Sequence, residues 1–592
     1  MAPLTEVAYD SGVMATQNPT AWRSNEFKLG INMAGAVSAG AYTAGVLDFL
    51  LEALEEWEKA KTAFRASLAN PAGASAAPVP LHDVTIEAFG GASAGGMCAA
   101  IAAVMVQQEF AHIRSAMEAG TSNTLYESWV NRIGIERLLG TRDIENGGAL
   151  VSLLDSTVID EIAREALQPS AAKKRSYISR QLTLLLTLTN VRGIPYRLYS
   201  DPTGGDETTG PTADEYTAYY GDRLRFETTE GDQAPSHPSA KALPAGTPGA
   251  GSWPLLQEAT KATGAFPIML APRRLTREKT DYVTPPWETT QEASGEKSAQ
   301  PDWRPQPPTI ETLNVDGGVT DNNPFQLVND VLLSLQSSAN VNPSGAEEAN
   351  CAVVTVAPFP ATWKWAENYD TSTCSAIWPM LGRLLDVLIS QSRFMGESLS
   401  ELTNGASFNR FVIAPSDSGW KKGSALQCAV LNAFGGFFFR GFRRHDFLLG
   451  RRNCQRFLRA HFCLPTNNTV IAAGLREAGS WEDEIQRQFG VPAPVAETGT
   501  SETWLPVIPV MGTAESEVAN PAREKMPREE LDRIVGLILK RAKAIRPLLL
   551  ADAPGFVRWT AGIVLRWPFS ILIKRSLRAT LVERMGDSVE PS

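Results

Sequence analysis

The chain has 592 residues, of which 43% are hydrophobic and 20% charged, enough apolar material for a large core and incompatible with global disorder. Lys and Arg number 55 against 65 Asp and Glu, a net charge of -10 that argues against nucleic acid as the main partner. Six Cys without CxxC spacing and only five His give no disulfide framework, no zinc signature and no multi-histidine metal centre.

The first 26 residues lack the basic start and continuous apolar run of a signal peptide. No stretch reaches the roughly 18–20 uncharged apolar residues that span a bilayer. A reduced, cytoplasmic protein is therefore expected. FKLGINM at 27–33 reads as a short buried strand entering a small-residue loop, Ala34 to Gly40. Val46, Leu47, Leu50, Leu51, Leu54 and Trp57 then recur at helical spacing. VTIEAF at 84–89 reads as a second strand, and GGASAGG leads from it into the small-residue helix MCAAIAAVMV. Strand, tight turn and helix, twice over, is the pattern of an α/β sheet. QLTLLLTLTN at 181–190 is a further buried strand. Residues 201–257 and 275–309, rich in Gly, Pro, Thr, Ser and acids, read as low-complexity surface insertions. ETLNV then leads as a strand into DGGVTDNNP, CAVVTVAPF at 351–359 is another, and RFVIAP one more. Beyond about 366 the pattern is mainly helical, as in IWPMLGRLLDVLISQSRFMGESLSEL.

Gly91-Ala92-Ser93-Ala94-Gly95 matches GxSxG between a strand and a helix. A nucleophilic Ser on a sharp turn needs neighbours without bulk, so that the backbone bends and Oγ stands clear. Ala36-Val37-Ser38-Ala39-Gly40 is a near-match in a similar setting, with bulky Val37 directly before the Ser. Such a loop has a second natural role, holding an oxyanion on its main-chain N–H groups. Asp316-Gly317-Gly318, after a strand and before Asn322-Asn323-Pro324, places a carboxylate where it can act as a base toward a Ser. His82 and His237 lie in linker-like sequence; His445 and His461 follow both Ser93 and Asp316, the chain order of an α/β-hydrolase triad.

In this order, the small-residue loop, GxSxG, and a distant Asp-Gly-Gly followed by Asn-Asn-Pro resemble the patatin-like phospholipase family. Ala262-Thr263-Gly264-Ala265-Phe266-Pro267 with Pro272, and Gly45-Val46-Leu47, are similar to further segments of that family. The resemblance covers about 27–360 without the insertions. It implies an α/β fold: a patatin-like core with a central, mostly parallel sheet flanked by helices over 27–365. A tail (1–26) precedes that core and a mainly helical region (366–592) follows it. It also implies a Ser–Asp dyad, with Asp316 as base for Ser93 and the N–H groups of Gly35, Ala36 and Val37 as the oxyanion hole. No metal or cofactor is required, and the substrate implied is a lipid or phospholipid. Typical members carry a run of glycines and then Arg or Lys before the last Gly; here Val37 and Ala39 break that pattern, and Val disfavours positive φ. The expectation is a lipid acyl hydrolase of the phospholipase A or lysophospholipase kind. The alternatives are a Ser-Asp-His esterase, or a catalytically weak lipid-binding or scaffold protein of the same fold.

Two C-terminal segments are basic and aromatic. Arg440 to Arg459 holds seven Arg and one acid, Asp446. Arg541 to Arg584 holds nine Lys or Arg against Asp552 and Glu583, with the apolar runs WTAGIVL and WPFSILI. Such segments suit a peripheral membrane contact, or else an Arg-rich scaffold that pairs with an acidic core.

Overall fold

The structure is a computed structural model, and it describes residues 23–70, 75–115, 120–145, 149–169, 171–198, 215–282, 301, 308–336, 341–359, 380, 407–417, 424–493, 503–551 and 570–590. Its centre is a nine-stranded sheet. β1 (Glu26–Met33) and β2 (Asp83–Gly91) pair in parallel, joined by the 30-residue helix α1 (Gly40–Ala69). Helix α2 (Ser93–Met105) then leads toward β3 (Ile178–Leu198), which lies parallel on the other edge of β2. β4 (Glu215–Thr229) runs antiparallel to β3, and β5 (Lys241–Pro244) is parallel to β4. After α3 (Trp253–Thr263), β6 (Arg273–Glu278) and β7 (Thr309–Asp316) form an antiparallel pair, with β7 also on β3. α4 (Phe325–Ser334), β8 (Cys351–Val356) and β9 (Arg410–Ile413) complete the sheet on the far side of β1, parallel throughout.

The long strand β3 acts as a ruler. Its Leu186 lies opposite Gly91 in the parallel register with β2, and its Leu188 lies opposite Asp316 in the antiparallel register with β7. Met33, at the end of β1, is in turn opposite Gly91. The three loops of interest therefore leave the sheet along one row, at the carboxyl ends of the parallel strands, where open α/β sheets place their sites.

The segments expected to be low-complexity insertions are, over residues 215–257 and 275–282, largely part of this framework. The 15 residues of β4 pair along the length of β3. Composition misleads here because Thr and Tyr suit a pleated strand as well as a loop, while Leu224 and Phe226 alternate into the core. The charges are internal too: Arg277, 2% exposed, pairs with Asp222 at 2.9 Å and Asp281 at 3.0 Å. Residues 199–214, 283–300 and 302–307 lie outside the described residues, as does most of the helical expectation at 377–402.

Among the described residues, the C-terminal region packs into the core of the sheet domain. α5 (Arg440–Ala460) lies across α1 so closely that a Cβ on Gly45 would stand 1.9 Å from the Phe447 carbonyl oxygen, and one on Gly450 would stand 2.2 Å from that of Tyr42. Phe442, Phe447, Leu449 and Leu458 join the same core as β1, α1 and α2. Between the two helices Arg451 donates to both Asp48 and Glu52, all three buried. Burial pushes the Asp48 carboxyl up, but Arg451 and His112 outweigh it and hold its pKa below the usual value. Among the described residues, Val37–Ala69 alone is long and apolar enough to cross a membrane, and its apolar window is 94% buried inside the protein.

Most of the first Arg-rich stretch is engaged within the protein. Arg440, Arg443, Arg444, Arg451, Arg452 and Arg459 are all hydrogen-bonded within the protein. Arg541, on α6 (Arg528–Ala551), is likewise buried, paired with Asp143 and donating to the carbonyls of Gly140 and Leu153. WTAGIVL and the start of WPFSILI lie outside the described residues.

Candidate active site

Ser93 opens α2 with φ +53, the left-handed conformation that costs an ordinary residue about 1–2 kcal/mol. The small residues around it make this turn possible. A Cβ on Gly95 would stand 2.1 Å from the Met33 carbonyl oxygen, so β1 and the start of α2 could not approach as they do. Two bonds fix the turn: Ala92 N–H donates to the Met33 carbonyl (3.2 Å) and Ser93 N–H to Thr263 Oγ1 (3.0 Å).

Ser93 Oγ donates to Asp316 Oδ2 at 2.7 Å. The other carboxylate oxygen accepts from Gly318 N–H at 2.8 Å. The Asp316 backbone is held on both sides, its N–H on the Ala265 carbonyl (2.9 Å) and its carbonyl on Thr189 Oγ1 (2.8 Å). Both residues are nearly enclosed, Ser93 at 7% and Asp316 at 4% exposure. Burial pushes the Asp316 carboxyl up to about 7, against the downward pull of the Ser93 and Gly318 hydrogen bonds. A carboxylate poised near neutrality is suited to taking and returning a proton.

Of the three N–H groups expected to form an oxyanion hole, one is engaged within the protein. Gly35 N–H is already engaged, donating to the Asn322 carbonyl at 3.1 Å. The N–H groups of Ala36 and Val37 are not engaged among the described residues. Val37 has φ +49, so the β-branched residue does adopt the conformation it disfavours. Ser38, the rival nucleophile, is fully buried and bonded to the Ala433 carbonyl and Gly436 N–H. It has no part in the dyad.

Ser93, Asp316 and Val37 sit in a mostly apolar cleft walled by Met97, Trp129, Ile133, Leu138, Leu154, Ile159, Phe266, Leu270, Phe434 and Phe437. No histidine lines it. His445 Nδ1 pairs with Asp446 at 2.8 Å and His82 Nε2 with the Val507 carbonyl at 2.9 Å, while His112 sits between Asp48 and Glu55. The triad alternative thus has no imidazole at the serine. A more open cleft of about 370 Å³ between Glu136, Arg440, Arg443, Glu529 and Glu530 holds no nucleophile. Among the described residues, no group of three or more His, Cys, Asp or Glu could hold a metal ion.

Sequence reasoning missed three contributors. Thr263 lay in a segment already singled out, but nothing marked its hydroxyl as the acceptor for Ser93 N–H. Phe434 and Phe437 lie just before the Arg-rich segment, and only the packing of α5 on α1 brings them here.

This is an α/β protein with a serine and an aspartate in hydrogen-bond contact beside an unengaged main-chain donor pair. The model of patatin-like phospholipases matches residues 31–328, half of the chain, and the chain belongs to that family. It is 29% identical over 610 aligned positions to the uncharacterized protein y4iI of Sinorhizobium fredii, covering 95% of this chain and 82% of that protein. The crystal structure of VipD from Legionella pneumophila aligns at 12% identity over 96% of this chain and 89% of its own, with a TM-score of 0.23. Family membership implies a lipid acyl hydrolase.

Proposed function

We propose that the chain hydrolyses acyl esters of phospholipids or lysophospholipids through Ser93 and Asp316. The supporting observation is the 2.7 Å hydrogen bond from Ser93 Oγ to a buried Asp316 at the floor of an apolar cleft. Asp316 accepts the Ser93 proton as Oγ forms a bond to the ester carbonyl carbon. The carbonyl electron pair moves to oxygen, which the N–H groups of Ala36 and Val37 receive. Collapse reforms the carbonyl and breaks the ester C–O bond, and Asp316 returns the proton to the departing alkoxide. Water attacks the acyl-serine in the same way: Asp316 takes its proton and then gives it to Ser93 Oγ, releasing the fatty acid.

The apolar walls suit an acyl chain, and the dyad needs no imidazole. A fluorophosphonate probe, together with fatty-acid release from phosphatidylcholine and lysophosphatidylcholine, tests this reading. Ser93→Ala is expected to remove labelling and release together. Labelling that survives in Ser93→Ala, or a wild type that releases no acyl group from any ester, ends it.

Contact with the lipid surface is assigned to the outer end of α6, where Lys543 and Arg546 are exposed although Arg541 is not. Such binding weakens with salt. Lys543→Glu with Arg546→Glu should lower co-sedimentation with anionic liposomes; unchanged sedimentation would remove the assignment.

A further inference from the structure

The loop Ala34–Gly40 is suspended between two supports. On one side the Asn322 carbonyl takes Gly35 N–H at 3.1 Å. On the other, the Ala433 carbonyl takes Ser38 N–H at 3.2 Å and also the Ser38 hydroxyl, while Ser38 Oγ accepts Gly436 N–H at 3.0 Å. Only Ala36 and Val37 lie between, and they carry the two N–H groups assigned to the oxyanion. Val37 is held in the left-handed region at φ +49, and such strain persists only where the surroundings over-determine it. Ser38 is the next residue, and its three hydrogen bonds supply that determination.

The second support is itself strained and itself held. Leu431, Asn432 and Ala433 have φ of +55, +53 and +70, three consecutive left-handed residues, none of them glycine. Helix α5 fixes both ends of this stretch. The Asp446 carboxylate accepts the N–H groups of Gln427 (2.8 Å) and Cys428 (2.9 Å), and the buried Arg443 donates to the Gly436 carbonyl at 2.5 Å. Gly436 has no room for a side chain: a Cβ would stand 2.4 Å from Cys428 Sγ and 2.6 Å from Ser38 Oγ. Phe434, between the two contact points, walls the cleft.

We infer that Ser38 is a positioning residue, and that residues 431–436 form part of the active site by setting the oxyanion donors of Ala36 and Val37 through it. This inference rests on the ester-hydrolase reading. The supporting stretch lies beyond the part matched by the family, 31–328, and supplies locally what a run of glycines would otherwise allow.

The test compares wild type, Ser38→Ala, Ser38→Cys and Gly436→Ala on p-nitrophenyl butyrate, with thermal melting of each. Ser38→Ala is expected to lower kcat about 10- to 100-fold with KM within about twofold. The acid limb of its pH profile should not move, because Asp316 is untouched. Gly436→Ala should show the same kcat-selective loss. Ser38→Cys keeps the volume and a weak donor, and should fall between Ser38→Ala and wild type; it also serves should Ser38→Ala not fold. A kcat within twofold of wild type in Ser38→Ala, or a loss carried entirely by KM, overturns the inference. A wild type inert to both ester and fluorophosphonate would instead remove the hydrolase reading, and the positioning role with it.

Discussion

The turn that carries Ser93 and the loop that carries Ala36 and Val37 lie side by side at the ends of β2 and β1, yet they differ in how much their own residues contribute to their shape. The Ser93 turn is made possible by the small residues on either side of it, and bonds to Met33 and Thr263 then fix it. The loop of Ala36 and Val37 lacks the run of glycines that would let it hold its shape alone, and it leans on Asn322 and Ala433, the latter nearly 400 residues away (395 from Ser38). Local sequence allows the first and tertiary bonds complete it; the second depends on tertiary contact throughout. A candidate nucleophile can thus be read from a pentapeptide, while what holds the loop beside it cannot.

The sharpest way to break this contrast is Ser93→Ala, which should reduce ester turnover by at least about 10³-fold and abolish probe labelling. Ser38→Ala should still label, though more slowly. If both variants lost labelling alike, the two regions would not be separable. The next largest effect concerns the helix pair beneath them. Arg451→Met leaves Asp48 and Glu52 without their shared cation and should cost about 3–5 kcal/mol in denaturant unfolding. A loss under about 1 kcal/mol would mean that His112, Arg114 and Asn123 satisfy those carboxylates without it.

Dependence on pH reports on the dyad alone. Only ionised Asp316 can take the serine proton, so kcat/KM should rise about tenfold per pH unit below about 7 and level off above it. A midpoint near 4 would show that burial does not raise this carboxyl. Phe434→Ala, on the C-terminal side, should change acyl-chain preference by about tenfold in kcat/KM while leaving labelling of Ser93 intact. The smallest effect is on stability. The folded state binds the Asp316 proton more tightly than the unfolded chain, so stability from this group is present at low pH and is lost as pH rises from about 4 to about 7. Asp316→Asn removes that loss and should melt at or above wild type at pH 8; a marked fall in Tm there would contradict it.

The sheet was largely legible because buried parallel strands are continuous apolar runs: FKLGINM, VTIEAF, QLTLLLTLTN and CAVVTV all lie in it. β4 was not, because it buries Asp222, Glu227, Thr228 and Thr229 beside Leu224 and Phe226, and that mixture reads from composition alone as a loop. Ser93 and Asp316 were legible as residues, but their contact was not. It depends on the register of β3, where Leu186 and Leu188 set the two loops next to one another. The engagement of Gly35 by Asn322, and the role of Ser38, required the fold. Ser38 looked like a nucleophile because small-residue loops before helices look alike until their hydrogen bonds are known.

The pairing of Arg451 with Asp48 joins residues 403 positions apart. During synthesis at roughly 5–20 residues per second, Asp48 leaves the ribosome on the order of 20–80 s before its partner. For that interval α1, the most apolar long helix among the described residues, has no α5 to cover it. The nascent chain therefore presents a sticky surface for far longer than a helix takes to form. An expression fragment that ends at the family boundary would keep that exposure permanently.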